Sequence, residues 1–238
     1  MEALILYFVL FFPSYFASAF PAETVLVESI PFSALRELAR TLAYSIPALA
    51  LLWYLITDKK GFSGPGGSIR YTNLSLTASR QGFPDFGIPC RQDLIPFAIG
   101  LPVLILIGLG ISLLISLFYE FSGLPPKIEG PATVSGWIIM VFSCICTGYL
   151  EESYFRYYLL TKLEDLFAKD VFRIITSTFF FSLCHLYEGP WGILNAVLAG
   201  ILFSVLFVRY RSLHGVAWAH GAYNIFVYMM GSFGLSGI

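Results

Sequence analysis

Thr147-Gly148-Tyr149-Leu150-Glu151-Glu152-Ser153-Tyr154-Phe155-Arg156-Tyr157-Tyr158 is the stretch on which the reading of the chain turns. Two adjacent carboxylates and an arginine stand inside apolar surroundings. Val134 to Cys146 precede them and Tyr157 to Leu160 follow. An ionisable side chain at membrane depth costs several kcal/mol, about 2.5–3.5 on insertion scales. Three together require a reason. Either they pair to hold helices together, or they carry chemistry.

The composition supports a membrane setting. The chain has 238 residues, of which 57% are hydrophobic and 12% charged, with a mean hydropathy of +0.77. A soluble domain of this size would lack polar cover for its surface. Long apolar runs separated by short charged loops predict an all-α, multi-pass transmembrane helix bundle of about seven spans. We read residues 1–238 as a single integral membrane domain. A net charge of −1 gives no support to nucleic-acid binding. Cys144, Cys146 and Cys184 lie in apolar runs, where a thiol behaves as a small hydrophobe. With Cys90 they do not suggest a disulfide framework.

Outward from the acidic stretch, the runs fall in order. The first covers residues 1–20 and carries Glu2 but no Lys or Arg at its front, which favours a retained helix, although Ala17-Ser18-Ala19 resembles a cleavage site. The second runs from Ala34 to Ile56, with Arg36, Glu37 and Arg40 in its first turns. Thr57 to Asp93 is the one long polar segment, and it contains the triplet Asn73-Leu74-Ser75. The third run is Leu94 to Phe118, broken or bent at Pro102. The fourth starts near Thr133 and continues through the acidic stretch to about Leu166. The fifth covers Val171 to Tyr187, the sixth Trp191 to Val208, and the seventh Leu213 to Met230.

Basic residues set the orientation. Lys59, Lys60, Arg70, Arg80 and Arg91 place the 57–93 loop in the cytoplasm. Alternation puts Lys162, Lys169 and Arg173 on the same side, and Arg209 with Arg211 too. The expected location is a bacterial cytoplasmic membrane, crossed several times.

Two further polar groups lie in late spans: Phe181-Ser182-Leu183-Cys184-His185 and His220-Gly221-Ala222-Tyr223-Asn224. Counted from the nearest cytoplasmic charge at about 1.5 Å per residue, Glu152 lies roughly 15 Å deep, His185 roughly 18 Å and His220 roughly 14 Å. In a core about 30 Å thick these positions share one level. Glu152 and Arg156 are i,i+4 and can pair, and His220 and Asn224 stand on one helix face.

Glu-Glu-x-x-x-Arg at 151–156, Phe-x-x-x-His at 181–185 and His-x-x-x-Asn at 220–224 resemble, in that order, the motifs of the CAAX prenyl-protease and bacteriocin-processing family of intramembrane proteases. The stretch from Ala199 to His220 is also similar to that family's region before its last motif. The resemblance spans about 134–230, the expected catalytic core. It implies a glutamate-dependent endopeptidase without a cofactor. Glu151 would be the general base that activates water and His185 would help hold that water. His220 and Asn224 would stabilise the oxyanion, and Glu152 and Arg156 would support the geometry. The implied partner is a peptide or protein substrate, lipidated or unmodified, in the bilayer. A desolvated carboxylate suits proton abstraction, and His and Asn suit donation to an oxyanion.

Three rival readings attach to the same residues. The charges can form a purely structural ion pair. Two His and a Glu can ligate zinc and leave a position for water, although no His-Glu-x-x-His occurs. A transporter or scaffold would use the charges as an ion path, but the spans show no inverted repeat. His214 reads as interfacial, and Glu188 as a loop residue beside Gly189-Pro190.

Overall fold

The apolar runs become helices wherever the computed structural model describes them, namely over residues 2–11, 29–61, 89–122 and 127–233. In chain order these are α1 (Glu2–Leu10), α2 (Ala34–Arg40), α3 (Ile46–Gly61), α4 (Leu94–Ser122), α5 (Val134–Glu152), α6 (Leu160–Leu163), α7 (Asp170–Leu183), α8 (Gly189–Tyr210) and α9 (Leu213–Ser232). A π-helical turn, Thr41–Ser45, joins α2 to α3, and a second, Ser153–Leu159, joins α5 to α6. Counting each joined pair once gives seven helical segments among the described residues. Two two-residue strands, β1 (Ser29–Ile30) and β2 (Lys127–Ile128), pair in parallel. The chain is an all-α membrane bundle. The segments 34–56, 91–118, 134–163 and 186–210 are each long and apolar enough to cross a bilayer.

Local chemistry sets the helix starts. The hydroxyl oxygens of Thr133 and Ser212 accept from the amides of Gly136 at 3.1 Å and Gly215 at 3.0 Å. Such caps satisfy amides that the first turn leaves without helical partners. Ser212 also donates to Asp93, at the foot of α4, which ties the starts of α4 and α9 together. Between α8 and α9 the backbone reverses at Arg211, whose φ of 53° is left-handed.

The third run, expected to break or bend at Pro102, stays helical across it as α4. Proline is tolerated inside membrane helices because neighbouring groups re-satisfy the freed carbonyl. The fifth run was expected to stay helical to Tyr187, but α7 stops at Leu183. The amides of Cys184 and His185 bond to carbonyls only three residues back, Phe181 and Ser182, and Gly189 then takes φ 75°. This tightening ends the helix. Its 14 residues make about 21 Å, short of a bilayer core of about 30 Å. His185 therefore sits in a turn at the end of a short helix. The first run is described only as α1 and Phe11, and the Asn73 triplet, Ala17 to Ala19 and most of the 57–93 loop lie outside the described residues.

The core forms where α5, α7, α8 and α9 meet, with Leu150, Phe155, Phe203, Phe207, Val216 and Ala219 buried. The first helix joins it: Tyr7 and Phe11 are buried against Tyr154 and Phe155. Tyr154 donates to the carbonyl of Ala3 at 2.7 Å, and Tyr158 to the Glu2 carboxylate at 2.8 Å. Aromatic bodies fill the interior while their hydroxyls find polar partners.

Candidate active site

Close contact between α5 and α9 creates the site. A Cβ at Gly148 would lie 2.8 Å from the Ala217 carbonyl and 2.9 Å from the Gly221 amide. One at Gly221 would lie 3.2 Å from the Cys144 carbonyl. Lipid offers no hydrophobic drive for helix association, so small residues that admit close backbone contact do much of the joining. Gly148 is one turn before Glu152 and Gly221 is beside His220, so the crossing sets the acidic pair against the imidazole.

The polar contacts follow from that crossing. Glu152 Oε1 accepts from Arg156 Nη1 at 3.1 Å and from His220 Nδ1 at 2.8 Å. On the far side of the ring, His220 Nε2 lies 3.8 Å from Glu151 Oε2. His220 thus stands between two carboxylates. The contact with Glu152 has hydrogen-bond length, and the one with Glu151 is longer than a hydrogen bond. Glu151, Glu152, Arg156 and His220 are all buried.

Aromatic rings frame these charges. The Arg156 guanidinium lies 4.2 Å from the Phe181 ring centre and 5.5 Å from that of Phe203. Its Nη2 reaches the Gly200 carbonyl at 3.4 Å. His220 stacks on Phe203, centre to centre 5.4 Å at 24°. Planar guanidinium and imidazole groups gain from such faces where water is excluded. At Gly200 a Cβ would lie 2.9 Å from Thr178 Cγ2, so α7 and α8 also approach closely and carry both rings inward.

The remaining expected residues sit around this centre. His185 Nδ1 bonds the Phe181 carbonyl at 2.9 Å, which makes Nδ1 the donor and leaves Nε2 as the acceptor in the neutral ring. The Phe181 ring lies 4.6 Å from the His185 ring and 6.1 Å from the His220 ring, so both histidines border one side chain. Asn224 is half-buried on α9, one turn beyond His220, and its side chain makes no hydrogen bond among the described residues. The structure therefore joins Glu151, Glu152, Arg156 and His220 by polar contact. It brings His185 to them through Phe181 and keeps Asn224 apart from the network. Among the described residues no three His, Cys, Asp or Glu side chains gather closely enough to hold a metal ion.

Sequence reasoning passed over the aromatic frame of Phe181 and Phe203, because phenylalanine in an apolar span carries no polar signal. It also gave no role to Glu37 and Arg40 of α2, whose side chains reach Ser143 of α5. Their charge was visible, but nothing in the sequence says which helix α2 touches. His214, read as interfacial, bonds Tyr149 through Nδ1 at 2.9 Å and stacks on Trp218.

Buried carboxylates, a histidine and an arginine held across the helices of a membrane bundle define an integral membrane protein with a polar site inside its helical core. Residues 133–226 match the family described as Type II CAAX prenyl endopeptidase Rce1-like. That match supports a place in the CAAX prenyl-protease and bacteriocin-processing family of membrane endopeptidases. No curated protein and no solved structure matches the chain.

Proposed function

We propose that the protein is a glutamate-dependent intramembrane endopeptidase in which Glu151 activates the attacking water. The observation that carries this reading is the placement of His220 between two unequal carboxylates. Glu152 is bound by Arg156 and by Nδ1 of His220. Its two donors, Arg156 and His220, hold it as an anchor rather than leave it free to reach a water. Glu151 faces the other ring nitrogen across 3.8 Å, a gap that one water can bridge.

In this scheme Glu151 takes a proton from the water as the water attacks the peptide carbonyl. The carbon–nitrogen bond then breaks, and the proton passes to the leaving amine. His185 Nε2 accepts a hydrogen bond from the water and fixes its direction. His220, as an imidazolium held through Nδ1 by Glu152, donates through Nε2 to the oxyanion, and the Asn224 amide donates to it as well. Donors fixed in a water-poor site stabilise developing charge without reorganisation. Arg156 keeps Glu152 in place. No metal or other cofactor enters the scheme. The substrate is a membrane-associated peptide, prenylated or unmodified, and the setting is a bacterial cytoplasmic membrane with residues 57–93 inside.

The test is Glu151→Gln, which keeps the shape and removes the proton acceptor. Cleavage across a panel of prenylated and unmodified membrane peptides is expected to fall about 10²–10⁴-fold, with thermal unfolding in detergent little changed. His220→Ala is expected to lose a comparable factor, roughly 10²–10³. Full activity in Glu151→Gln ends the proposal. Loss of activity to a strong chelator, restored by zinc, would replace it with the metal reading.

A further inference from the structure

A second polar cluster lies on the wall of the site, and its charges come from outside the stretch that matches the family. On α2, Glu37 Oε2 accepts from Arg40 Nε at 3.2 Å and Arg40 Nη2 at 2.9 Å. The same oxygen accepts from Ser143 Oγ of α5 at 3.1 Å. Arg40 Nη2 also lies 3.2 Å from Ser143 Oγ and 3.5 Å from Thr147 Oγ1. Ser143, Thr147 and Glu151 are spaced four residues apart, so they form one face of α5. The Arg40 guanidinium therefore grips α5 one turn, about 5.4 Å along the axis, before Glu151.

The local backbone is built around this grip. The helix of α2 gives way to the π-helical turn Thr41–Ser45 directly after Arg40. On α5 the helix gives way to the turn Ser153–Leu159 directly after Glu152. Widened turns of this kind are frequent at functional sites, because they re-aim the side chains beside them. Each of the two turns follows directly on a charged residue, Arg40 in one case and Glu152 in the other.

We infer that Arg40, with Glu37, is a positioning residue for the proposed peptidase: it docks α2 on Ser143 and Thr147 and so fixes the turn of α5 that carries Glu151. The inference rests on the proposed function for its readout, but it concerns the geometry of α5 rather than the identity of the base. Arg suits the task because its planar fork serves a carboxylate and two hydroxyls at once, which a lysine ammonium on a flexible stem does not reproduce. Misplacing a catalytic group by about 1 Å is enough to slow a reaction by up to about 10²-fold.

The experiment uses the full chain in detergent and one labelled membrane peptide that the wild type cleaves. Arg40→Ala is expected to lower kcat about tenfold with KM changed less than about twofold, because the substrate still binds while the base is displaced. Arg40→Lys falls between Arg40→Ala and wild type. The Thr147→Val variant, which removes one hydroxyl and little volume, is expected to reduce kcat in the same sense and covers the case in which Arg40→Ala fails to fold. A covalent replacement separates positioning from binding. Glu37→Cys with Ser143→Cys, oxidised in the Arg40→Ala background, joins α2 to α5 without the charge and is expected to restore kcat to within about threefold of wild type. Unchanged kcat in both Arg40→Ala and Thr147→Val overturns the inference. So does a raised KM in Arg40→Ala that the bridge leaves unrestored, since that would make Arg40 a substrate-binding group. Glu151→Gln, measured alongside, keeps the two readings apart. If it is inactive while the Arg40 variants are normal, only the positioning role fails.

Discussion

Two ion pairs lean on the same helix, and they differ in how far they are removed from solvent. Glu152 and Arg156 are both fully buried, with no exposed side-chain surface. Glu37 and Arg40 keep 12% and 37% of theirs. The first pair lies where nothing outside the protein can satisfy a charge. Its members therefore draw on the His220 ring, the Gly200 carbonyl and the aromatic faces as well as on each other. The second pair lies where part of each group remains accessible, so hydroxyls of a neighbouring helix suffice to hold it. The difference teaches that burial decides what a charged pair is for. A deep pair is an expensive arrangement that must be complete, and a half-buried pair can be adjusted or lost at small cost.

The largest effect is expected at the deep pair. Arg156→Met removes one charge and leaves Glu152 buried with only His220 as donor. Breaking a buried pair in this way costs about 3–5 kcal/mol. Thermal unfolding in detergent is expected to drop accordingly. Pairing Arg156→Met with Glu152→Gln should recover part of the loss, since the orphaned charge is gone. A double variant less stable than Arg156→Met alone would show that the Glu152 carboxylate, still bound by His220, contributes more than relief of the orphaned charge returns.

Gly148→Val comes next. The added side chain meets the Ala217 carbonyl and Gly221 amide, both backbone atoms that cannot swing away. Overpacking of this kind costs about 1–3 kcal/mol. It also forces α9 off α5, so the approach of His220 to Glu151 is lost along with stability. A variant that keeps wild-type stability and wild-type cleavage would mean the crossing can slide without harm, and would weaken the account of how the site is assembled.

The deep cluster was legible in the sequence and the shallow one was not. Glu151, Glu152, Arg156 and His220 announce themselves because ionisable residues are rare in apolar runs, and counting residues from basic loops put them at one level. Helix identity followed from run length alone. What could not be read was contact between helices far apart in sequence. Glu37 and Arg40 looked like ordinary first-turn charges until α2 was seen lying on Ser143. The end of α7 at Leu183 was also hidden, because Cys184 to Tyr187 continue the apolar pattern while the backbone tightens into i,i+3 bonding. Hydrophobicity marks an apolar run, and here the run outlasts the helix. Asn224 shows the reverse limit. Its spacing from His220 puts it on the correct face, yet a shared face did not bring it into the polar network.

The smallest effect is expected at Glu37→Gln. The amide keeps an oxygen that can accept from Arg40 and Ser143, so the docking of α2 on α5 persists and only the charge is lost. Arg40, more than a third exposed, can extend its guanidinium toward water rather than remain stranded. Half-exposed pairs contribute about 0.2–1 kcal/mol, and the loss in Glu37→Gln should fall in that range. Rising salt should shrink the difference from wild type further, because ions screen a charge that solvent can reach. The same exchange at Glu152 should cost several times more and respond little to salt. Thermal unfolding of both variants at low and high salt measures the contrast directly. A Glu37→Gln loss equal to that of Glu152→Gln, and equally indifferent to salt, would mean that both pairs are sealed from solvent to the same degree, and the division between a deep and a shallow pair on α5 would have to be given up.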